Sequence, residues 1–514
     1  MNLADRMGAI AARLPDRTAL LFTHQRVPYA ELWSRVERAA AAFRHLGCLP
    51  GDRVALLLGN EPHFVEALYG ALRAGLVAVP INVGFTTEEV SAILSDSGAR
   101  VVVAGGAFAA ALPSASPELG QVIAGRAPAA GSAERTWEQF IKAGAGAGDP
   151  GGGPHAAATT DLALLQYTSG TTGKPKGAML SHAALLANQD QMARTPLRLS
   201  ERDVVLCVLP LFHIYALNVA LAFPLARGAT VLLVERFEPL PTLEAVTEHR
   251  TSVIVGAPPM YVAWVDTPGF AQFDLTSVRY AVSGAAALPP AVLERFTAAS
   301  GIPLWEGYGL TETAPVLTSA AMASAAMASA AMASTPRPGS VGRPLPDVEL
   351  RLVDEHGRRV RDGDLGEVVV RGLNVFSGYW GQPQATAAVL DADGWFRTGD
   401  IGYLDAGDLF LVDRRSDLII VSGFNVYPGE VEEVLHRHPK VAEAAVVGTP
   451  HPYTGESVKA VVVLRPGEEA TAAEITEFCR RSLARFKCPE VVEVAASLPH
   501  LPSGKVRRRD LRDT

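Results

Sequence analysis

The sequence has few cysteines and no excess of positive charge, and both features exclude classes of protein. Its four cysteines lie far apart without a C-x-x-C pair, which indicates neither a zinc site nor a disulfide framework: Cys48, Cys207, Cys479 and Cys488. Acidic residues outnumber basic ones by 54 to 46, a net charge of -8. Because nucleic-acid-binding proteins are usually basic, binding to nucleic acid is not expected. A reducing, cytoplasmic location is expected.

Long apolar runs are also missing. The longest apolar stretch, residues 214–226, contains Pro224 and is followed by Arg227. It is shorter than the roughly 20 residues that a transmembrane helix requires. Asp5 and Arg6 come too early for the apolar core of a signal peptide. The sequence therefore predicts no integral membrane segment.

What the sequence does contain is an alternation of strand and helix patterns over 514 residues, enough for about three or four domains. Segments such as RVALLLGN, HFVEALYGALRAG and VAVPIN predict an α/β fold with largely parallel sheets covered by helices. From about residue 416 the pattern becomes compact α+β. We predict a large N-terminal domain of several subdomains, residues 1–413, and a small α+β C-terminal domain, residues 414–514.

Two segments have unusual composition. Residues 124–160 are rich in Gly, Ala and Pro, which predicts a mobile surface connection. The five-residue sequence AAMAS occurs three times in residues 320–334. A period of five gives no single apolar face on a helix or strand, so we interpret it as a tandem expansion in a surface loop. A role of its methionines in substrate gating is the alternative: Met322, Met327 and Met332.

A glycine-rich loop, residues 167–177 (YTSGTTGKPKG), has the composition of a phosphate site. Glycines let backbone N–H groups approach a ligand, and hydroxyls and lysines add donors and charge. Because an apolar run precedes the loop and Ser181 is a plausible N-cap after it, the loop is predicted to join a strand to a helix. Pro175 follows the first lysine, which disfavours a P-loop NTPase. The candidate nucleotide-binding residues are Thr168, Ser169, Gly170, Thr171, Thr172, Gly173, Lys174 and Lys176.

A second motif, LWEGYGLTETAP at residues 304–315, places an aromatic ring beside glycines and a carboxylate beside a hydroxyl. Tyr308, between Gly307 and Gly309, can lie flat on a purine. Thr311 and Glu312 can hold Mg²⁺ against phosphate oxygens. A structural alternative fits the same sequence, in which the tyrosine is a buried core residue and the glutamate caps a helix. Further on, the Asp400 carboxylate in WFRTGDIG could accept hydrogen bonds from both ribose hydroxyls.

These motifs, in this order, resemble the signatures of the adenylate-forming superfamily, which includes acyl-CoA synthetases, luciferases and peptide-synthetase adenylation domains. The resemblance implies ATP, Mg²⁺ and coenzyme A as cofactors and an acyl-adenylate intermediate. It implies that Tyr308 stacks on adenine, that Thr311 contacts phosphate, and that Glu312 and Thr168 bind Mg²⁺. SGAAAL, with Gly284, Ala285 and Ala286, resembles the segment that lines the adenine pocket. Arg414 in DRRSD resembles the arginine of the ribose region.

The resemblance also implies a mobile C-terminal domain. Lys505, in LPSGKVRRRDL, would reach into the site and balance charge while the carboxylate attacks the α-phosphate. Gly423, in VSGFNVYPGEVE, has no side chain and would let the pantetheine arm of CoA pass after the domain rotates. The sequence departs from the family at the hinge, where Ser416 stands in place of the usual Asp or Lys.

The acid itself is the least determined feature. His213 would flank the carboxylate, and Tyr215 and Asn218 in FHIYALN would contact the acyl group, as in hydroxycinnamate-CoA ligases. SGFNVYPGEVEEVL looks more like bacterial fatty-acyl-CoA ligases. We expect a medium- or long-chain fatty acid, with an aryl-propenoic acid as the alternative. A dicarboxylate ranks third. It would need an arginine to bind its second carboxylate, and no arginine lies near Tyr261 or Ala286 in the sequence.

Other classes of function share some of these motifs. A peptide-synthetase adenylation domain would normally be followed by a carrier domain, whereas this sequence ends at Thr514. CoA is therefore the expected acceptor, and delivery of the acyl group to a carrier protein is the alternative. A luciferase-like oxygenase shares the motifs. A non-catalytic homologue would be expected to lack Lys505 or Glu312, and both are present.

Overall fold

The structure, a computed structural model, describes most of the chain. The described residues are 2–112, 119–124, 135–146, 158–168, 176–322, 337–414, 417, 419–421, 424–426, 428–451, 455–483, 485–500 and 506–512. Within them, strands form three sheets. The predicted fold class is confirmed: a large α/β part with mixed, largely parallel sheets, followed by a smaller α+β part.

The first sheet flanks the glycine-rich loop. Its described strands are β3 (Arg53–Leu57), β4 (Val77–Pro80), β5 (Ala99–Gly105), β6 (Gly120–Ala124), β7 (Arg135–Thr136), β8 (Leu162–Thr168) and β9 (Lys176–Ser181). They lie in the order β7-β6-β5-β3-β4-β8-β9, and only the β8-β9 pair among them is antiparallel. The nearby helices are α1 (Leu3–Arg13), α2 (Tyr29–His45), α3 (Pro62–Arg73), α4 (Thr87–Ser97) and α5 (Trp137–Gly146).

The second sheet is the largest. Its described strands are β1 (Thr18–Phe22), β2 (Gln25–Pro28), β10 (Val204–Cys207), β11 (Thr230–Leu233), β12 (Val253–Gly256), β13 (Tyr280–Ser283), β14 (Leu304–Gly309), β15 (Val316–Ser319), β16 (Ser340–Pro344), β17 (Glu349–Val353), β18 (Gly366–Arg371), β19 (Phe396–Asp405) and β20 (Asp408–Arg414). They lie in the order β17-β18-β19-β20-β16-β15-β14-β13-β12-β10-β11-β1-β2. The strands from β14 to β1 in this order are parallel. Their carboxyl ends therefore share one edge of the sheet, where ligands usually bind.

Helices of the middle part cover this sheet. They are α6 (His182–Ala193), α7 (Phe223–Arg227), α8 (Pro239–Glu248), α9 (Pro258–Val265), α10 (Pro290–Ser300) and α11 (Pro383–Ala387), with a π-helix at Tyr215–Ala222 and 3₁₀ turns at Ala109–Ala111, Phe270–Gln272 and Thr311–Thr313. One continuous apolar core joins the first and second sheets, and a second core lies on the other face of the parallel strands.

The third sheet uses only residues from 419 onward. Its described strands are β21 (Ile419–Val421), β22 (Phe424–Val426), β23 (Val441–His451), β24 (Gly455–Leu464) and β25 (Val491–Ala495). Helices α12 (Pro428–His436) and α13 (Ala472–Arg480) accompany it, with 3₁₀ turns at Arg485–Lys487 and Arg508–Leu511. A core of its own lies beneath these elements. The boundary that we propose between residues 413 and 414 falls at the end of β20.

Helix α4 shows how local sequence fixes these elements. Its N-terminus is a capping box, in which the Thr86 hydroxyl accepts from the Glu89 N–H and the Glu89 carboxylate accepts from the Thr86 N–H. Its C-terminus is Gly98 with φ of 60°, a left-handed conformation that glycine adopts without strain. The predicted helix TEEVSAILSDSGA therefore begins and ends where its capping residues lie.

Two sequence expectations need correction. The glycine-rich loop joins two antiparallel strands rather than a strand and a helix, because GAMLS forms β9 before α6 begins at its N-cap Ser181. The segment 124–160 was expected to lack packed structure, but its middle forms α5, where Trp137 and Phe140 are buried. Gly144 lets this helix approach α2, since a Cβ there would lie 2.6 Å from the Ala42 backbone.

Two further segments bear on the expectations. Of the AAMAS repeat, only residues 320–322 are described, and Ala320 and Ala321 are buried at the end of β15. Residues 323–336, with Met327 and Met332, lie outside the described residues. Within the described part of the chain, no helix is both long and apolar enough to cross a membrane.

Candidate active site

The predicted site residues converge on one large cleft at the carboxyl ends of the parallel strands β12, β13 and β14. Its cavity volume is about 3770 Å³, and residues of all three sheets contribute to its walls. The predicted residues that line it are Thr168, Lys176, His213, Tyr215, Gly284, Ala285, Ala286, Gly307, Tyr308, Gly309, Thr311, Glu312 and Asp400. Positions far apart in sequence therefore share one cavity, as the motif analysis predicts.

The ends of the glycine-rich loop are held by the β8-β9 pair. Thr168, the last residue of β8, lies opposite Lys176, the first residue of β9. Gly177 has a packing role, because a Cβ there would come within 2.9 Å of the Leu165 side chain and 3.2 Å of the Tyr167 ring. Strand β9 also packs against the 3₁₀ turn Thr311–Thr313, which carries Glu312. Strand β9, which begins at the end of the loop, is therefore a neighbour of the second motif.

Tyr379, which the sequence analysis missed, links these two motifs. Its hydroxyl donates a hydrogen bond of 2.8 Å to the Glu312 carboxylate. The Lys176 ammonium lies 5.2 Å from the centre of its ring, within range of a cation–π contact. Burial and the adjacent Glu312 raise the pKa of Tyr379, so its hydroxyl stays protonated and donates. The only sequence signal was its position in the aromatic segment SGYWG.

The motifs predicted to bind adenine and ribose are joined directly. The Tyr308 hydroxyl donates a hydrogen bond of 2.6 Å to Oδ2 of Asp400. Asp400 is buried, and in the strand register it lies opposite Arg414. Gly309 allows a close turn, because a Cβ there would lie 1.8 Å from the Pro315 carbonyl oxygen. This contact explains why glycine is required beside Tyr308.

Gly284, Ala285 and Ala286, which follow β13, form another part of the cleft wall. Ala285 has φ of 69°, a left-handed conformation uncommon for alanine. A Cβ on Gly284 would lie 2.8 Å from Cζ of Tyr215, which packs directly behind it. The missing side chain at Gly284 therefore makes room for Tyr215 as well as keeping the wall low.

Glu306 is a second residue that the sequence analysis did not single out. Its carboxylate accepts a 3.0 Å hydrogen bond from the Leu288 N–H, which fixes the end of the wall segment. Glu306 lines the cleft but is only 8% exposed, and burial raises the pKa of its carboxyl to about 8. Its register partner Ser283 has a buried hydroxyl with no protein partner among the described residues. The charge of Glu306 is therefore disfavoured near neutral pH.

The segment that carries His213 is tied to the first sheet. The Gln166 side-chain amide donates a hydrogen bond of 2.6 Å to the Phe212 carbonyl oxygen. Nδ1 of His213 accepts from the Tyr215 backbone N–H at 3.3 Å, which turns the ring relative to the π-helix. Gln166 is buried and lines the cleft two residues before Thr168. It therefore connects the glycine-rich loop with the histidine expected at the carboxylate.

Asn218 does not reach the cleft. It is fully buried, its amide nitrogen donates to the Ala314 carbonyl oxygen at 2.7 Å, and its amide oxygen accepts from Gln189 at 2.9 Å. The expected contact with the acyl group is therefore replaced by a structural one. The physical reason is that these two hydrogen bonds satisfy the amide in the protein interior.

An apolar part of the cleft, which we call the inner branch, is lined by residues of α6, the segment after it, the π-helix, α7 and the strands β12 and β13. It is defined by Met192, Leu197, Leu199, Val219, Phe223, Val253, Val255, Tyr280 and Val282. None of these residues carries a charge or is an arginine. Several are at most 7% exposed although they line the cavity, so the inner branch lies inside the protein: Met192, Leu199, Phe223, Val253, Val255 and Tyr280.

Several predicted site residues cannot be placed. Ser169, Gly170, Thr171, Thr172, Gly173, Lys174, Ser416, Gly423 and Lys505 lie outside the described residues. Of Arg414, only the backbone is described. Val506, the next residue after Lys505, lines the cleft.

The donor set suits a magnesium ion that arrives with a nucleotide. Mg²⁺ is usually bound by one or two carboxylates together with substrate phosphates and waters. Glu312 supplies a carboxylate whose orientation Tyr379 fixes, and Thr168 supplies a hydroxyl in the same cleft. Among the described residues, no group of three His, Cys, Asp or Glu side chains forms a separate metal site.

Comparison with known proteins agrees with this arrangement. Residues 9–380 match the AMP-binding enzyme family, and residues 430–505 match the AMP-binding enzyme C-terminal domain. The chain belongs to the AMP-binding enzyme family. This confirms the resemblance to the adenylate-forming superfamily, and with it the expectation of an AMP-forming acid-thiol ligase that uses ATP, Mg²⁺ and coenzyme A.

Curated relatives of this family member differ in the acid that they name. A Mycobacterium tuberculosis 3-[(3aS,4S,7aS)-7a-methyl-1,5-dioxo-octahydro-1H-inden-4-yl]propanoyl:CoA ligase is 39% identical over 98% of this chain and 97% of its own length. A feruloyl-CoA synthase of Amycolatopsis sp. is 38% identical, over 97% and 96%. A long-chain-fatty-acid–CoA ligase of Bacillus subtilis is 34% identical, over 98% and 92%. Among solved structures, ATP-bound MatB from Rhodopseudomonas palustris is 30% identical, with a TM-score of 0.87 over 100% and 99%.

Proposed function

We propose that this AMP-binding enzyme activates a medium- or long-chain fatty acid and transfers the acyl group to CoA. The observation that carries the choice of acid is the inner branch, whose lining residues are all uncharged. Burial of an alkyl chain contributes about 0.8 kcal/mol for each methylene group, so an apolar channel favours an apolar chain. A second carboxylate would lack a cationic partner there.

The proposed nucleotide-binding roles are supported by the geometry of the cleft. Tyr308 is proposed to offer its ring to adenine, and the segment Gly284–Ala286, which lines the same cleft, is proposed to form part of the adenine pocket. Asp400 is expected to accept from the ribose hydroxyls. Its hydrogen bond with Tyr308 sets the sugar and base sites at a fixed separation.

The phosphate region combines positive charge with a metal-binding carboxylate. Lys176 and the residues of the glycine-rich loop are expected to surround the phosphates, with Thr311 contacting them from the second motif. Glu312 and Thr168 are expected to hold the Mg²⁺ that accompanies ATP, which would supply charge neutralisation of the phosphates. Removing an electrostatic stabiliser of this type typically costs about a hundredfold or more in rate.

Two chemical steps then follow. In the first, a carboxylate oxygen beside His213 attacks the α-phosphorus, an O–P bond forms, and the bond to the β-phosphate breaks with release of pyrophosphate. Lys505 is proposed to stabilise the charge of this step. In the second, the CoA sulfur attacks the acyl carbon, a C–S bond forms, and AMP leaves as the thiol proton is lost. We propose that Gly423 and the hinge at Ser416 serve this second step, whereas Arg414 is proposed to contact the ribose and phosphate region of the nucleotide.

A second candidate is an aryl-propenoate or ring-bearing propanoate. Tyr215 lines the cleft and packs behind Gly284, where it could stack on a ring close to the carboxylate. The relatives named for feruloyl and bicyclic propanoyl groups are 38% and 39% identical, slightly above the fatty-acid ligase. The acceptor also has an alternative, a carrier protein instead of free CoA.

The test is a panel of acids assayed with ATP, Mg²⁺ and CoA. Pyrophosphate release and thioester formation are measured for saturated fatty acids, ferulate and a bicyclic propanoate, with Glu312→Gln as the impaired control. We expect the largest kcat/KM with a fatty acid. A preference for ferulate or the bicyclic acid would favour the second candidate, and exchange of pyrophosphate into ATP without a thioester would point to a carrier protein.

A further inference from the structure

We propose that Tyr280 closes the far end of the inner branch and so sets the longest acyl chain that is activated efficiently. This inference rests on the proposed function, because it assigns the inner branch to an alkyl chain. It narrows the substrate to a medium-chain fatty acid and names the residue that fixes the limit.

The strand register places Tyr280 at the deep end. Val253 lies beside Tyr280, and Val255 lies beside Val282, in the parallel pair of β12 and β13. Side chains of alternate residues point to the same face of a strand, so these four form one floor. All four line the cavity, whereas the residues between them pack into the core on the other face. Val255 and Val282 lie nearer the active site because both strands end there.

The length of this floor gives the expected chain length. Tyr280 lies four positions before Gly284, which is about 13 Å along a strand. An extended alkyl chain advances roughly 1.25 Å for each carbon, from a bond length of about 1.52 Å and an angle of about 111°. The floor therefore accommodates a chain of about ten carbons.

Tyr280 is held firmly enough to act as a stop. Its hydroxyl donates a hydrogen bond of 3.1 Å to the Leu197 carbonyl oxygen. The Arg279 guanidinium lies 5.2 Å from the centre of its ring. The ring is therefore fixed at its edge and supported on its face. Met192, which also lines the inner branch, has an unbranched side chain that adapts to its surroundings and would stop a chain less sharply.

A polar cluster closes the outside of the inner branch beyond Tyr280. Arg279 donates to the Asp203 carboxylate at 2.7 Å and to the Arg198 carbonyl oxygen at 3.1 Å. Asp203 also accepts a 2.8 Å hydrogen bond from the Ser252 hydroxyl. Because an alkyl chain gains nothing by entering a charged cluster, a chain that reaches Tyr280 cannot extend favourably past it.

The experiment compares chain-length profiles of three variants with the wild-type enzyme. Tyr280→Ala removes the side chain that closes the inner branch, and Tyr280→Leu replaces it with a shorter one. Tyr280→Phe keeps the ring but removes the hydrogen bond to Leu197. Pyrophosphate release is measured with even-numbered acids from hexanoate to hexadecanoate. Each variant is normalised to its own rate with hexanoate, which is too short to reach Tyr280, so the shape of the profile is the readout.

We expect the wild-type profile to peak near decanoate and to fall about tenfold or more at hexadecanoate, because overfilling a packed cavity is costly. Tyr280→Ala should move the peak by about four carbons, Tyr280→Leu by less, and Tyr280→Phe should keep the wild-type peak. If the alanine variant does not fold, the leucine variant decides.

Two results would overturn the inference while the proposed function survives: a wild-type peak at hexadecanoate, or unchanged peaks in the alanine or leucine variants that fold. Failure of the proposed function looks different, because the wild-type enzyme would then activate none of the fatty acids.

Discussion

Tyr308 and Asp400 are joined by a hydrogen bond of 2.6 Å although they come from different motifs and lie 92 positions apart. The bond connects the end of β14 with the middle of β19, two strands that are not neighbours in the sheet. Because the donor is a phenol and the acceptor a carboxylate, the bond belongs to the stronger, charge-assisted class. It fixes the ring proposed for adenine relative to the carboxylate proposed for ribose.

We therefore predict that Tyr308→Phe raises KM for ATP about tenfold, because a hydrogen bond to a charged group contributes about 1.5 kcal/mol or more. KM for the acid should change much less. Steady-state kinetics with each substrate varied in turn will measure both constants. An equal rise in the two KM values would instead indicate a general distortion of the cleft.

The Glu312 carboxylate is predicted to support catalysis through Mg²⁺. Glu312→Gln should lower kcat about a hundredfold or more and shift the Mg²⁺ titration to higher concentration. Tyr379→Phe is the matched control, since it removes only the hydroxyl that donates to Glu312. It should lower the rate much less. If Glu312→Gln keeps the wild-type Mg²⁺ dependence, the carboxylate does not act on the metal.

Gly284 is predicted to tolerate no side chain while Tyr215 lies behind it. Because an added Cβ would lie 2.8 Å from the Tyr215 ring, Gly284→Ala should lower kcat/KM for the acid about tenfold or more. Adding Tyr215→Leu should relieve the contact and recover part of this loss. A double-mutant cycle measures the coupling, and strictly additive losses would contradict a direct clash.

The raised pKa of the Glu306 carboxyl predicts that the stability of the protein depends on pH. Burial raises the pKa of its carboxyl from 4.5 to about 8 in the folded protein. Between these values the folded state holds a proton that the unfolded state has lost, so the contribution to stability is complete below pH 4.5 and is lost as pH rises through about 8. Glu306→Gln, which stays neutral, should remove this loss.

Calorimetric Tm values from pH 5 to pH 9 provide the measurement for Glu306. The wild-type Tm should fall toward alkaline pH more steeply than that of Glu306→Gln. The additional loss of unfolding free energy in the wild-type protein should be at most a few kcal/mol. Glu355→Gln is the control, because the Glu355 side chain is 79% exposed. Parallel curves for wild type and Glu306→Gln would show that Glu306 does not titrate in this range.

Lys505 is predicted to act in only one of the two chemical steps. Lys505→Ala should lower adenylation about a hundredfold or more while thioester formation from supplied acyl-adenylate stays largely intact. Pyrophosphate release measures the first step, and acyl-CoA produced from synthetic acyl-adenylate measures the second. Arg507→Ala, two positions further on, controls for loss of positive charge near the cleft. Equal loss of both steps would refute the division of roles.

The sequence by itself determined the family, the fold class and most of the residues that we propose for the nucleotide site. The glycine-rich loop and the motif around Tyr308 can be recognised from short stretches of consecutive residues. Their glycines, the aromatic ring and the carboxylate must lie close together in the sequence to surround a phosphate and a base. Alternating strand and helix patterns fixed the α/β class for a similar reason, since periodicity is a property of neighbouring residues. The β9 segment was still misassigned, because a short apolar run fits a strand or the entry to a helix.

Tertiary structure alone decided which distant residues complete the site. Tyr379 reaches Glu312, and Glu306 supports the Leu288 backbone, through contacts that no local pattern encodes. Hydrogen bonds to Ala314 and Gln189 hold the Asn218 side chain in the interior, and strand register places Tyr280 at the proposed end of the inner branch. Which face a side chain occupies depends on register and helical phase, and these are set by packing between elements far apart in the chain.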